Sequence, residues 1–160
     1  MRTAVAYLPR ATADGDDMEA RSQMMLAALW GGIAMDHAGL GLVHSLSGPL
    51  SGHGHLHHGL SNGIILPYAL RFNLPAMAPA KQAVLQEIFD PTGSEGALFP
   101  GVKKFVADLG LPTSLTEIEM SLDEEIRQEL AAETLRMVLI HNNPRPTTEA
   151  DCAGLFAEMA

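Results

Sequence analysis

Apolar residues recur at helical spacing along almost the whole chain, and this periodicity leaves little room for any fold other than an all-α one. From Asp16 to Ala38, Met18, Met25, Leu26, Leu29, Ile33 and Met35 fall near a 3.6-residue repeat, with Gly39 placed to end the helix. The expected element is a long, mostly buried helix. Leu40 to Leu50 forms a shorter apolar segment, closed by Gly48, Pro49, Ser51 and Gly52, and a loop containing His53 and His55 should follow it. The stretch "HHGLSNGIILPYALRFN" from His57 reads as a further helix, kinked at Pro67 and ended by Asn73 and Pro75. Weaker helices are expected from Pro79 to Phe89 and from Gly101 to Leu109, with "DPTGSEG" as a flexible connector between them and "GLPTSL" as a loop afterwards. Ser121 with Glu124, and Thr148 with Asp151, match capping boxes ahead of the last two helices. Only "RTAVAYL" is strand-like, and it fits the end of a helix equally well.

With 160 residues, the chain is long enough for one domain that folds without staples, since a domain of about 150 residues buries roughly 68–70% of its unfolded surface. One cysteine, Cys152, and no charged leader followed by an apolar stretch are what an intracellular, cytoplasmic protein would show. "MMLAALWGGIAM" is shorter than the ~18 apolar residues of a membrane span, so a soluble chain is expected. The net charge of −9, without a lysine or arginine cluster, argues against nucleic acid or an anionic membrane as partner. Small molecules or proteins remain.

The segment "VHSLSGPLSGHGHLHHG", residues 43–59, holds five of the seven histidines: His44, His53, His55, His57 and His58. Neutral imidazole is a common ligand for zinc, iron and nickel, whereas a solvated loop rich in histidine needs no ion at all. His53, His55 and His57 alternate, so an extended loop would set all three on one side and could capture a stray ion; solvated loop residues are the plainer reading. His37 suits a helix-end capping role, and His141 belongs to the turn at "NNPRP". Trp30 and Phe72 read as core residues. The aspartates of "DGDD" lack the spacing of a calcium loop and are assigned to turn and capping.

Several separated motifs, "LPRATADGDDMEAR", "AGLGLVHSLSGPLSG", "HHGLSNGIILPYALRFN", "LGLPTSL" and "NPRPTTEADCAGLF", together resemble the C-terminal helical domain of the iron-containing (group III) alcohol dehydrogenases and the dehydroquinate synthase-like fold. The resemblance runs from Leu8 onward, and residues 1–160 are read as a single helical domain of metal-binding type. It implies that His44 and His58 are the family's two C-terminal metal ligands and that Asn62 supports them by hydrogen bonding. It also implies a divalent ion, Fe2+ or Zn2+, and an NAD(P) cofactor bound by a complementary N-terminal nucleotide-binding domain. The substrate would be a small alcohol or carbonyl compound, and self-association or a homo-oligomer is expected of the exposed apolar surface.

Four departures qualify these implications. The family's remaining ligands come from an Asp-x-x-x-His segment that would lie upstream of Leu8, and its glycine-rich phosphate loop does not occur in these residues. Half of the metal shell and the dinucleotide site are therefore expected to come from elsewhere. In addition, Gly48 stands where the family has a second histidine, four residues after His44 and on the same helical face. Gly63 replaces an alanine after the asparagine, lowering helix propensity by ~1 kcal/mol. These departures keep a second expectation open: a truncated, non-catalytic remnant, or a helical module that binds a protein partner.

Overall fold

The computed structural model describes residues 1–90 and 96–160, and the connector at 91–95 lies outside them. Eight α-helices and three short 3-10 turns make up the regular structure of the described residues, which contain no strand. The chain divides into two compact units, Met1–Gly39 and Leu40–Ala160.

The first unit is a helical hairpin of α1 (Arg2–Ala13) and α2 (Met18–Ala38). "RTAVAYL" is thus helical. Asp14 accepts from the Asp16 N–H at 2.9 Å, and Asp17 caps α2 by accepting from the Ala20 N–H at 2.9 Å, so the aspartates serve turn and cap as their spacing suggested. Arg10 closes the turn on Asp17 and Glu19. The expectation of a buried α2 does not hold, because Ala20 is its only buried residue, while Met25, Leu29 and Trp30 are exposed. One partner helix covers only one face of α2, and at 1.5 Å per residue the 12-residue α1 spans about 18 Å of a helix about 31 Å long, so the opposite face and the later turns have no apolar partner in the hairpin. His37 sits in the last turn, its Nδ1 2.8 Å from the Ile33 carbonyl, in the expected capping role.

The second unit is built on α3 (Leu42–Gly54), α4 (His58–Asn73), α7 (Glu124–Arg136) and α8 (Glu149–Met159). Leu46, Leu50, Ile64, Ile65, Leu115, Phe156 and Met159 are fully buried among them. Phe72 packs against this core as a partly buried residue. Helix α3 runs through Gly48 and Pro49, which the sequence placed at its end. Burial of Leu46, Pro49 and Leu50 outweighs the ~3 kcal/mol that an interior proline costs. Helix α4 likewise continues through the buried Pro67. A smaller apolar cluster of Leu85, Leu98 and Val102 joins α5 (Pro79–Phe89) to α6 (Leu98–Asp108). A Cβ at Gly101 would run into the Phe89 carbonyl, so this close approach requires glycine.

The last two helices differ in how they start. Thr148 and Asp151 form the expected capping box ahead of α8. Helix α7, by contrast, is capped by Asp123, whose Oδ1 accepts from the Ile126 N–H at 2.9 Å, instead of by Ser121 with Glu124. Aspartate is as good a cap as serine, and it lies one residue from the first helical turn.

Cys152, in the first turn of α8, is fully buried, and burial pushes its thiol up to about 12, with Asp151 and Glu149 adding to the effect. Only the thiolate is nucleophilic, so iodoacetamide should leave Cys152 unlabelled in the native protein at pH 8 and label it fully in denaturant. Rapid native labelling would show that α8 opens locally.

Candidate metal centre

The turn between α3 and α4 brings distant imidazoles together. His55 adopts a left-handed conformation (φ 49°, ψ 36°) as the C-cap of α3, and the Leu56 N–H bonds back to the Ser51 carbonyl at 3.1 Å. His57 then caps α4, its Nδ1 accepting from the Gly59 N–H at 3.2 Å. His53 lies in the last turn of α3, so His53, His55 and His57 do not form an extended run with one shared face. Their separate roles in cap and helix end explain the spacing. His141 falls in the short 3-10 turn Val138–Asn142.

The reversal sets α4 beside α3, with Ser51 Oγ and Ser61 Oγ 2.6 Å apart across the seam. His44, in the first turn of α3, and His58, at the start of α4, have ring centroids 5.3 Å apart at an interplanar angle of 54°. Asn62 projects from the next turn of α4. Its Nδ2 lies 3.4 Å from His44 Nε2 and 3.1 Å from His58 Nε2, so one amide group meets the same nitrogen of both rings. The Asn62 Oδ1 is buried without a hydrogen-bond partner.

With the Asn62 amide oriented this way its NH2 group donates, and both Nε2 atoms accept. Each ring therefore directs a lone pair towards one electropositive group, which is the requirement for Nε2 ligation of a shared cation. Burial, reinforced by the nearby His58, holds the His44 imidazole below its ordinary pKa and favours the neutral form that a ligand needs. Two neutral imidazoles suit ferrous ion or zinc. Among the described residues no group of three or more His, Cys, Asp or Glu side chains is placed to hold a metal, so these residues offer two ligands and not a closed shell.

Gly48 faces α7. A Cβ there would come within 3.1 Å of Met137 Cε, so an imidazole at this position could enter only if Met137 moved. A cleft of about 520 Å3 opens beside it, with Gly52, His53, Glu133 and Met137 in its walls.

The profile of the C-terminal region of the Fe-containing alcohol dehydrogenase family matches residues 1–160. The chain belongs to that family. It is 31% identical over 162 residues to the NAD-dependent methanol dehydrogenase of Bacillus methanolicus, covering 98% of this chain and 42% of that protein. Identity to the 4-hydroxybutyrate dehydrogenase of Cupriavidus necator is 34% over 154 residues, covering 91% of this chain and 39% of that protein. An alcohol dehydrogenase from Oenococcus oeni superposes with a TM-score of 0.87 at 29% identity, over 99% of this chain and 43% of that one. The chain thus spans about two fifths of the length of these iron-type dehydrogenases. The all-α C-terminal fold expected from sequence is the fold found. No single helix of the described residues is long and apolar enough to cross a membrane.

Sequence reasoning missed Ser47, a fully buried hydroxyl that touches the site at 3.3 Å from His58 Nδ1. Its signal was present: Ser47 lies three residues after His44, hence on the same helical face.

Proposed function

We propose that this chain supplies the two-histidine side of a divalent-metal centre in an iron-type alcohol dehydrogenase, an enzyme that interconverts a small alcohol and its aldehyde or ketone with NAD(P). The observation that carries this reading is the convergence of His44 Nε2 and His58 Nε2 on the Asn62 amide nitrogen. His44 and His58 would hold Fe2+ or Zn2+, and Asn62 keeps the two rings aimed at one point. A divalent ion bound there supplies Lewis-acid polarisation of the substrate oxygen. The remaining ligands and the dinucleotide site belong to a complementary nucleotide-binding domain. The exposed Met25, Leu29 and Trp30 support association with another protein surface over an isolated monomer.

The test is reconstitution. Residues 1–160, mixed with a separately produced N-terminal domain of a related iron-type dehydrogenase, should oxidise ethanol, glycerol or propane-1,2-diol with NAD(P), and His58→Ala should remove that activity. Neither polypeptide alone should turn over. Turnover by residues 1–160 alone, or reconstituted activity indifferent to His58→Ala, would overturn the proposal. Failure of both association and turnover would favour a non-catalytic helical module.

A further inference from the structure

We infer that Ser47 is a positioning residue that fixes His58 as the Nδ1–H tautomer and thereby turns the His58 Nε2 lone pair towards the point shared with His44. The inference deepens the metal-centre reading above. Ser47 is fully buried within α3, between the buried Leu46 and Pro49 on a helix face that also holds Leu50. A hydroxyl in such surroundings is costly unless it is hydrogen-bonded. Its oxygen lies 3.4 Å from the His44 carbonyl and 3.3 Å from His58 Nδ1. A serine hydroxyl has one proton to donate. Two arrangements satisfy it: the proton goes to the carbonyl while Ser47 Oγ accepts from Nδ1–H, or the proton goes to an unprotonated Nδ1.

The opposite edge of the ring selects the first. Asn62 Nδ2 donates to His58 Nε2, and a neutral imidazole carries a single N–H, which must then sit on Nδ1. Reversing the Asn62 amide would bury its two N–H donors at the position where Oδ1 now has no partner. Unpaired buried donors are rarer than under-satisfied oxygens, so the present orientation is the favoured one.

Fixing the ring matters because His58 is exposed at the start of its helix and the terminal torsion of histidine is broad. Solvent alone would leave both tautomers and both ring orientations populated. An Nε2–H tautomer has no lone pair to offer at Nε2. Ser47 removes that alternative from one edge while Asn62 removes it from the other, the arrangement by which neighbouring hydrogen-bonding groups set the tautomer of a metal-ligating histidine.

The test reads the tautomer directly in metal-free, 15N-labelled residues 1–160 by long-range proton–nitrogen correlation of the imidazoles at pH 8. His58 should be protonated at Nδ1 in the parent protein. In Ser47→Ala the Nε2–H form should appear, zinc affinity should fall about 10–100-fold, and Ser47→Thr, which keeps the hydroxyl, should restore the parent pattern. An Nε2–H His58 in the parent overturns the inference whatever the variants do, and so does a tautomer unchanged by a folded Ser47→Ala. Because the tautomer is read without metal, absence of zinc binding by the parent counts against the metal-centre reading alone. Normal zinc binding with an unchanged tautomer in Ser47→Ala counts against Ser47 alone.

Discussion

Binding of zinc or ferrous ion by residues 1–160 should vanish in the His44→Ala/His58→Ala double variant and survive His53→Ala and His55→Ala. His44 and His58 present the same nitrogen to one amide group, at 3.4 and 3.1 Å, whereas His53 ends α3 and His55 forms its left-handed cap. Only the first pair is arranged to share an ion. Loss of a group that hydrogen-bonds to a metal ligand typically costs about 10–100-fold in metal affinity, so loss of either imidazole should cost at least about 100-fold. Parent affinity should itself be modest, because structural zinc sites worth about 10–16 kcal/mol use closed ligand sets and the proposed site would draw only two ligands from this chain. Protons compete for the same lone pairs, so affinity should fall as the pH drops through the histidine range near 6.5. His44 resists that loss further than an ordinary imidazole, since burial and then His58 lower its pKa. Isothermal titration of the double variant and the four single alanine variants decides the matter. Binding abolished by His53→Ala or His55→Ala but untouched by His44→Ala would make the histidine-rich turn an adventitious chelator.

The second large effect is on stability, at Asn143. Its Oδ1 accepts from Asn73 Nδ2 at 2.8 Å and from the Leu42 N–H at 3.3 Å, and its Nδ2 donates to Asn73 Oδ1 and to the Arg145 carbonyl, each at 2.8 Å. One side chain thus ties the N-terminus of α3 to the C-terminus of α4. Arg145 reinforces the join by donating to the Phe72 carbonyl at 2.9 Å, with its guanidinium 3.9 Å from the Phe72 ring centroid. Asn143→Ala would strand both polar atoms of the buried Asn73 and one N–H at the start of α3. At about 1–3 kcal/mol for each unsatisfied buried group, partly relieved by solvent at the edge, the net loss should be about 3 kcal/mol. Urea denaturation measures it through the shift in midpoint. A change within the ±0.5 kcal/mol typical of surface positions would show that the Asn73–Asn143 pair is not holding the helices together.

Much of the fold was legible locally. The 3.6-residue periodicity gave the helices, Gly39 marked the end of α2, and the Thr148 and Asp151 pair marked the start of α8. The misreadings have a common cause. Gly48 and Pro49 punctuate a chain read by propensity, yet α3 crosses them because core residues stand on both sides, Leu46 before them and Leu50 after. The same limit applies to α2: a period reveals an apolar face but not what covers it, and Trp30 remains exposed.

His44, His58 and Asn62 could be singled out by residue type, spacing and resemblance, because metal-binding chemistry uses few side chains and the intervening turn is short. The sequence by itself therefore determined the helical class and, through the resemblance, which histidines are expected to meet a cation. Tertiary structure decided which nitrogen of each ring faces inward, that Ser47 supports one edge of His58, and that Met137 lies where a side chain at Gly48 would go. It also decided the pairing of Asn73 with Asn143 across 70 residues. Periodicity is set by backbone geometry within a few turns, whereas hydrogen-bond direction and steric exclusion depend on atoms that only folding brings within about 4 Å of one another.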